Sequence, residues 1–157
     1  MKKFVLAAAL AFTLAGTRPA SAQDQVDEDI KLFRKDLRSQ RRQIIAANMV
    51  LNDKEAEQFW PLFERYTQEL VAKQDQKYAL LKEYAQNYTT LTDAQAEKYI
   101  QGRAAVDQAM LQVRLMYFPL FRKVLSGKST AMFFQVDWRL GLIMDLQLAS
   151  QTPLIEP

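Results

Sequence analysis

Leu91-Thr92-Asp93-Ala94-Gln95 reads as the start of a helix. Thr92 can accept a bond from the backbone N–H three residues on, and Gln95 can reach back to the N–H of Thr92. Two of the donors that every helix start leaves orphaned then find partners. Leu51-Asn52-Asp53-Lys54-Glu55 repeats the device, with Asn as the cap and Glu as its reciprocal partner. Leu125-Ser126-Gly127-Lys128-Ser129 is a weaker third copy, because Ser stands where Glu or Gln closes the box. The copies lie 40 and 34 residues apart, the spacing of helical hairpins. As a start signal the device is generic, so alone it predicts three helix caps and no activity.

Apolar spacing around these caps predicts four helices. Helix 1 is expected over residues 29–49, after a polar, mobile lead-in at 23–28. Its seam is Ile30, Phe33, Leu37, Ile44 and Ala47, and Asp27, Glu28 and Asp29 suit the positive end of its dipole. Helix 2 is expected over 52–87, with Phe59, Phe63, Tyr66, Leu70, Leu81 and Tyr84 inward, Lys77 as a polar interruption, and Trp60, Tyr78 and Tyr88 alongside. After a turn at 87–90, helix 3 runs to 124 on Tyr99, Val106, Met110, Val113, Tyr117, Leu120 and Val124. Gly102 within it marks a weak spot or a close approach. Pro61 and Pro119 each remove a backbone donor and should bend their helices near the same end of a hairpin. Helix 4, from 126 to about 149, is apolar almost all round, which predicts burial on most sides. One four-helix chain gives it little cover, so a dimer interface is expected there. The alternation over 134–140 also admits a strand, which the long neighbouring helices disfavour. Leu154 and Ile155, in a tail that cannot continue the helix, should tuck against a neighbour. The expected fold class is all-α, four helices in long bent hairpins.

Residues 1–22 read as a secretory signal. Lys2 and Lys3 precede a 12-residue apolar run that is short for a bilayer, and Ala20-Ser21-Ala22 is a small-residue cleavage site. Cleavage after Ala22 leaves a single helical domain, 23–157, with no stable membrane span. It also changes the charge argument. The chain has 21 basic and 18 acidic residues, and loss of Lys2, Lys3 and Arg18 leaves 18 of each. The basic balance belongs to the precursor and gives no reason to expect nucleic-acid binding. There is no cysteine to form a disulfide and no histidine. The latter excludes histidine general-base chemistry and the commonest metal ligand, so no metal or other cofactor is expected. Carboxylates such as Glu64 and Glu69 form no recognisable pair with a nucleophile or an arginine clamp, and an enzyme is not expected.

Helix 1 also carries Lys31, Arg34, Lys35, Arg38, Arg41 and Arg42 at three- and four-residue steps, a basic stripe beside the apolar seam. Asp36 is the one acid between Lys31 and Asn52, so the stripe is not neutralised within its own helix. A solvated face is the simple reading. A surface that meets partners by combined charge and apolar contact is the sharper one, with Arg34, Lys35, Arg38, Arg41 and Arg42 as candidates.

These residues resemble those of the periplasmic Spy/CpxP family. Residues 91–95 match its leucine-threonine-x-x-glutamine element in full. Residues 51–55 depart from it, with Asn for Thr and Glu for Gln, and 125–129 keep only the first two positions. Glu57-Gln58-Phe59-Trp60-Pro61-Leu62-Phe63, Phe133-Phe134-Gln135-Val136 and Asp145-Leu146-Gln147-Leu148-Ala149-Ser150 are similar to less-studied members. The resemblance implies a thin, curved antiparallel homodimer in the periplasm. It implies an ATP-independent chaperone that holds non-native envelope proteins, or a regulator that docks the sensor domain of an envelope-stress kinase. The family's metal-binding branch uses histidine, which this chain lacks.

Overall fold

The computed structural model describes residues 20–155, with side chains from 27. Over these residues the chain is all-α and has no strand. Its helices are α1 (Ala20–Asn48), α2 (Asp53–Asn87), α3 (Asp93–Val124) and α4 (Gly127–Ser150), and a 3-10 turn, Tyr88–Thr90, joins α2 to α3. The expected signal lies outside the described residues except for Ala20, Ser21 and Ala22, which open α1. The lead-in expected at 23–28 is helical instead, because no glycine or proline stands between Pro19 and Pro61. Asp27 in that segment reaches Lys82 of α2 at 2.6 Å, and Ile30 is buried one turn later.

All three starts carry their side-chain caps. Glu55 donates its backbone N–H to Asn52 Oδ1 (2.9 Å), and Asn52 N–H returns a bond to Glu55 Oε2 (3.1 Å). Gln95 N–H bonds Thr92 Oγ1 (3.3 Å), and Thr92 N–H bonds Gln95 Oε1 (2.9 Å). Ser126 accepts from Ser129 N–H (3.1 Å) with no carboxylate or amide to reciprocate. Leu51 sits at the edge of the main core and Leu91 in a cleft at the hairpin end.

Side-chain contacts set the direction of each neighbour. Tyr66 meets Tyr117 and Tyr84 stacks on Tyr99, so α2 and α3 run antiparallel. Gly102 is the close approach within this pair, since a Cβ there would lie 3.3 Å from Leu80. Arg41 meets Asp137 while Ile30 clusters with Met144 and Leu148, so α1 runs antiparallel to α4. Phe118 against Phe134 and Arg114 against Asp137 do the same for α3 and α4. The helices therefore alternate up and down. At about 1.5 Å per residue the 35-residue α2 is roughly 50 Å long, so the body is elongated. Pro61 and Pro119 lie on exposed turns of uninterrupted helices.

The core concentrates at the end where α2 begins. Phe59, Phe121 and Phe133 are fully buried in mutual contact, with ring centroids 4.4–5.4 Å apart. Each such side chain contributes about 1.5–3 kcal/mol by leaving water. The expected inward face of α2 is buried throughout, Lys77 included. Other helices depart from expectation by one position. In α1 the fully buried residue is Ile45, and Ala47 is exposed. In α3 Phe121 is fully buried and Leu120 faces out. Steps of three and four both satisfy a helical period, and neighbouring helices decide between them. The segment 134–140 is helical. α4 is buried only on one side, with Leu142 66% and Leu146 72% exposed. Leu154 of the tail is 86% exposed, although Tyr84 Oη donates to Pro153 O at 2.8 Å.

Candidate functional site

The basic stripe of α1 does not lie beside the seam. Arg34 and Arg41 occupy the seam itself, their stems buried and their heads turned to acids on other helices. Arg34 and Arg38 both bond Asp75 of α2, and Arg34 also stacks 3.9 Å from the centre of the Tyr78 ring. Burial, then the charge of Arg38, lowers the pKa of the Arg34 guanidinium from its ordinary value. Arg42 bonds Glu64 and stacks 4.1 Å from the centre of the Trp60 ring. Lys35 is exposed. Four of the five expected binding cations are thus engaged inside the chain. Their acids lie on α2 and α4, which is why the stripe looked unneutralised within its own helix.

Two buried ionic nodes cross the bundle. Asp137 of α4 has no exposed surface, and one residue from each other helix donates to it. Arg41 of α1 bonds Oδ1, while Tyr66 of α2 (2.7 Å) and Arg114 of α3 (3.1 Å) bond Oδ2. Burial, and then the Asp137 charge, raises the Tyr66 phenol far above its ordinary range, so it stays a donor. The second node is Lys77, buried between Asp145 (2.6 Å) and Asp107 (3.0 Å). Burial pushes the Asp107 carboxyl up, but hydrogen bonds and charge from Lys77 and Arg103 outweigh it and hold the group below its ordinary value. Sequence reasoning missed Asp75, Asp107, Asp137 and Asp145. The one signal was an acid at inward spacing on an otherwise apolar α4. Asp145 also lines a cleft of about 310 Å3 with Tyr84, Tyr99 and Arg103. Among the described residues no cluster of three candidate ligands could hold a metal, and no helix is long and apolar enough to cross a membrane.

A groove of about 380 Å3 lies between α3 and α4. Leu111, Leu115 and Phe118 form one wall, and Ala131, Gln135 and Trp138 the other. Antiparallel pairing of α3 with α4 creates it. Phe134 is the floor, in ring contact with both Phe118 (5.8 Å) and Trp138 (6.3 Å). Arg114 reaches its edge but is committed to Asp137. Leu142 and Leu146 continue the apolar track along α4. A larger cleft, about 430 Å3, lies at the hairpin end near Leu91 and Gln95, but its walls mix Leu80 and Tyr99 with Glu83, Asn87, Lys98 and Gln101. Its polar rim makes it the weaker candidate for holding apolar side chains.

No known family, curated protein or solved structure matches this chain.

Proposed function

We propose that this protein is an exported, ATP-independent holdase that binds non-native polypeptides in the periplasm. The observation that carries the reading is the exposed apolar track of α3 and α4, where Trp138 is half exposed and Leu115 and Leu142 more than half. Exposed apolar area of this continuity marks a binding surface. It has no catalytic constellation beside it and needs no nucleotide. Leucine and aromatic side chains line this shallow surface. The α1 arginines then act chiefly as structural clamps, and the hold lies on α3 and the exposed side of α4.

The test is light scattering during aggregation of several unrelated denatured proteins, with stoichiometric residues 23–157 and no ATP. Wild type should suppress scattering across clients. Trp138→Ser with Leu142→Ser should lose most of that suppression, while Arg38→Ser with Arg42→Ser should keep it at low salt. Suppression of no client would refute the holdase. Capture of one stoichiometric envelope protein in its place would favour the regulator that docks a sensor-kinase domain.

A further inference from the structure

We propose that the α3/α4 groove receives an amphipathic helix flanked by acidic residues, so that its preferred clients are acidic helical segments rather than extended chains. The inference rests on the client-binding reading of the same groove and names what the groove selects. Spacing is the first argument. Leu111, Leu115 and Phe118 step by four and three residues, and Ala131, Gln135, Trp138 and Leu142 by four, three and four. Those are the steps of a coiled-coil seam, and two such walls side by side present holes for the knobs of a third helix. Seven residues of helix repeat at about 10.5 Å, in step with a helical guest, whereas a strand repeats at roughly 6.6 Å and falls out of register.

Charge is the second argument. Residues 108–144 carry five cations, Arg114, Arg122, Lys123, Lys128 and Arg139, and one acid, the fully buried Asp137. Lys128 and Arg139 lie on the exposed side of α4, with no ion-pair partner among the described residues. The nearest acids along each helix, Asp107 and Asp145, are both bonded to Lys77. A second copy of this face would bring cation to cation, which disfavours self-pairing. A membrane is met by a convex apolar face, and this surface is concave.

The experiment measures binding by anisotropy of labelled peptides of about 15 residues, a length marginal as a free helix. One peptide has leucines at heptad positions and glutamates at the flanks. A second replaces the glutamates with lysines, and a third scrambles the glutamate peptide. The glutamate peptide should bind and gain helical circular dichroism. The lysine and scrambled peptides should bind at least about tenfold more weakly, a gap that narrows as salt screens the flanks. Trp138→Ser should weaken the glutamate peptide about thirtyfold with an unchanged melting curve. Equal binding of all three peptides would overturn the inference, and if aggregation suppression persisted it would leave the holdase intact. Loss of both would refute both. Tighter binding to phosphatidylglycerol vesicles than to the peptide, or a sedimenting dimer that buries Trp138, would also overturn it.

Discussion

Replacing Asp137 with asparagine tests whether the four helices are clamped at one point. The carboxylate accepts from Arg41 on one oxygen and from Tyr66 and Arg114 on the other. An amide of the same shape offers an oxygen on one side only. Whichever way it turns, an NH2 faces a donor, and two guanidiniums lose their counter-charge where water cannot replace it. Breaking a buried pair in this way costs about 3–5 kcal/mol. At roughly 3 °C per kcal/mol for a chain of this length, the melting temperature should fall by about 10–15 °C. Circular dichroism against temperature reads it. Arg41→Met in both backgrounds completes a double-mutant cycle, whose coupling should exceed about 1 kcal/mol because the groups touch. A drop under about 3 °C for Asp137→Asn, or zero coupling with Arg41, would refute the clamp.

Acid should loosen the second node. The folded pKa of Asp107 is lowered from its ordinary 3.8, so its contribution is fully present above about pH 4 and is lost as pH falls through the folded value. Urea midpoints between pH 5 and 2 should show Lys77→Met flattening that acid limb, and an unchanged limb would count against the node. Thr92→Ala removes the acceptor for Gln95 N–H and should cost about 1 kcal/mol, read as a melting shift of roughly 3 °C. Gln95→Ala on top should add less than it costs alone, since the two bonds form one box.

What was legible in the sequence was local. The boxes at Asn52 and Thr92 use partners three residues away, so the helix starts could be placed within a residue. The inward face of α2 was legible because its aromatic residues leave one period to choose. Arg34 and Arg41 were not, since the acids that bury them lie 41 and 96 residues along the chain. A stripe of arginines at helical spacing reads the same in water as against a neighbour's carboxylates. The groove was illegible for a related reason. The all-round apolar pattern of α4 predicted burial on most sides, but which side stays open depends on how α3 lies against it. Leu120 and Phe121 show the same limit within one turn.

The 96 residues between Arg41 and Asp137 also set an order of events. A ribosome adding about 5–20 residues per second needs on the order of 5–20 s to travel from one partner to the other. α2 and α3 are synthesised within that interval, while Arg41 of α1 is still without its carboxylate. Until α4 arrives, α1 is a cationic amphipathic segment whose Arg41 has no carboxylate to meet. The nascent protein thus passes through a stage in which it needs the same shelter from unwanted contacts that the finished one is proposed to give.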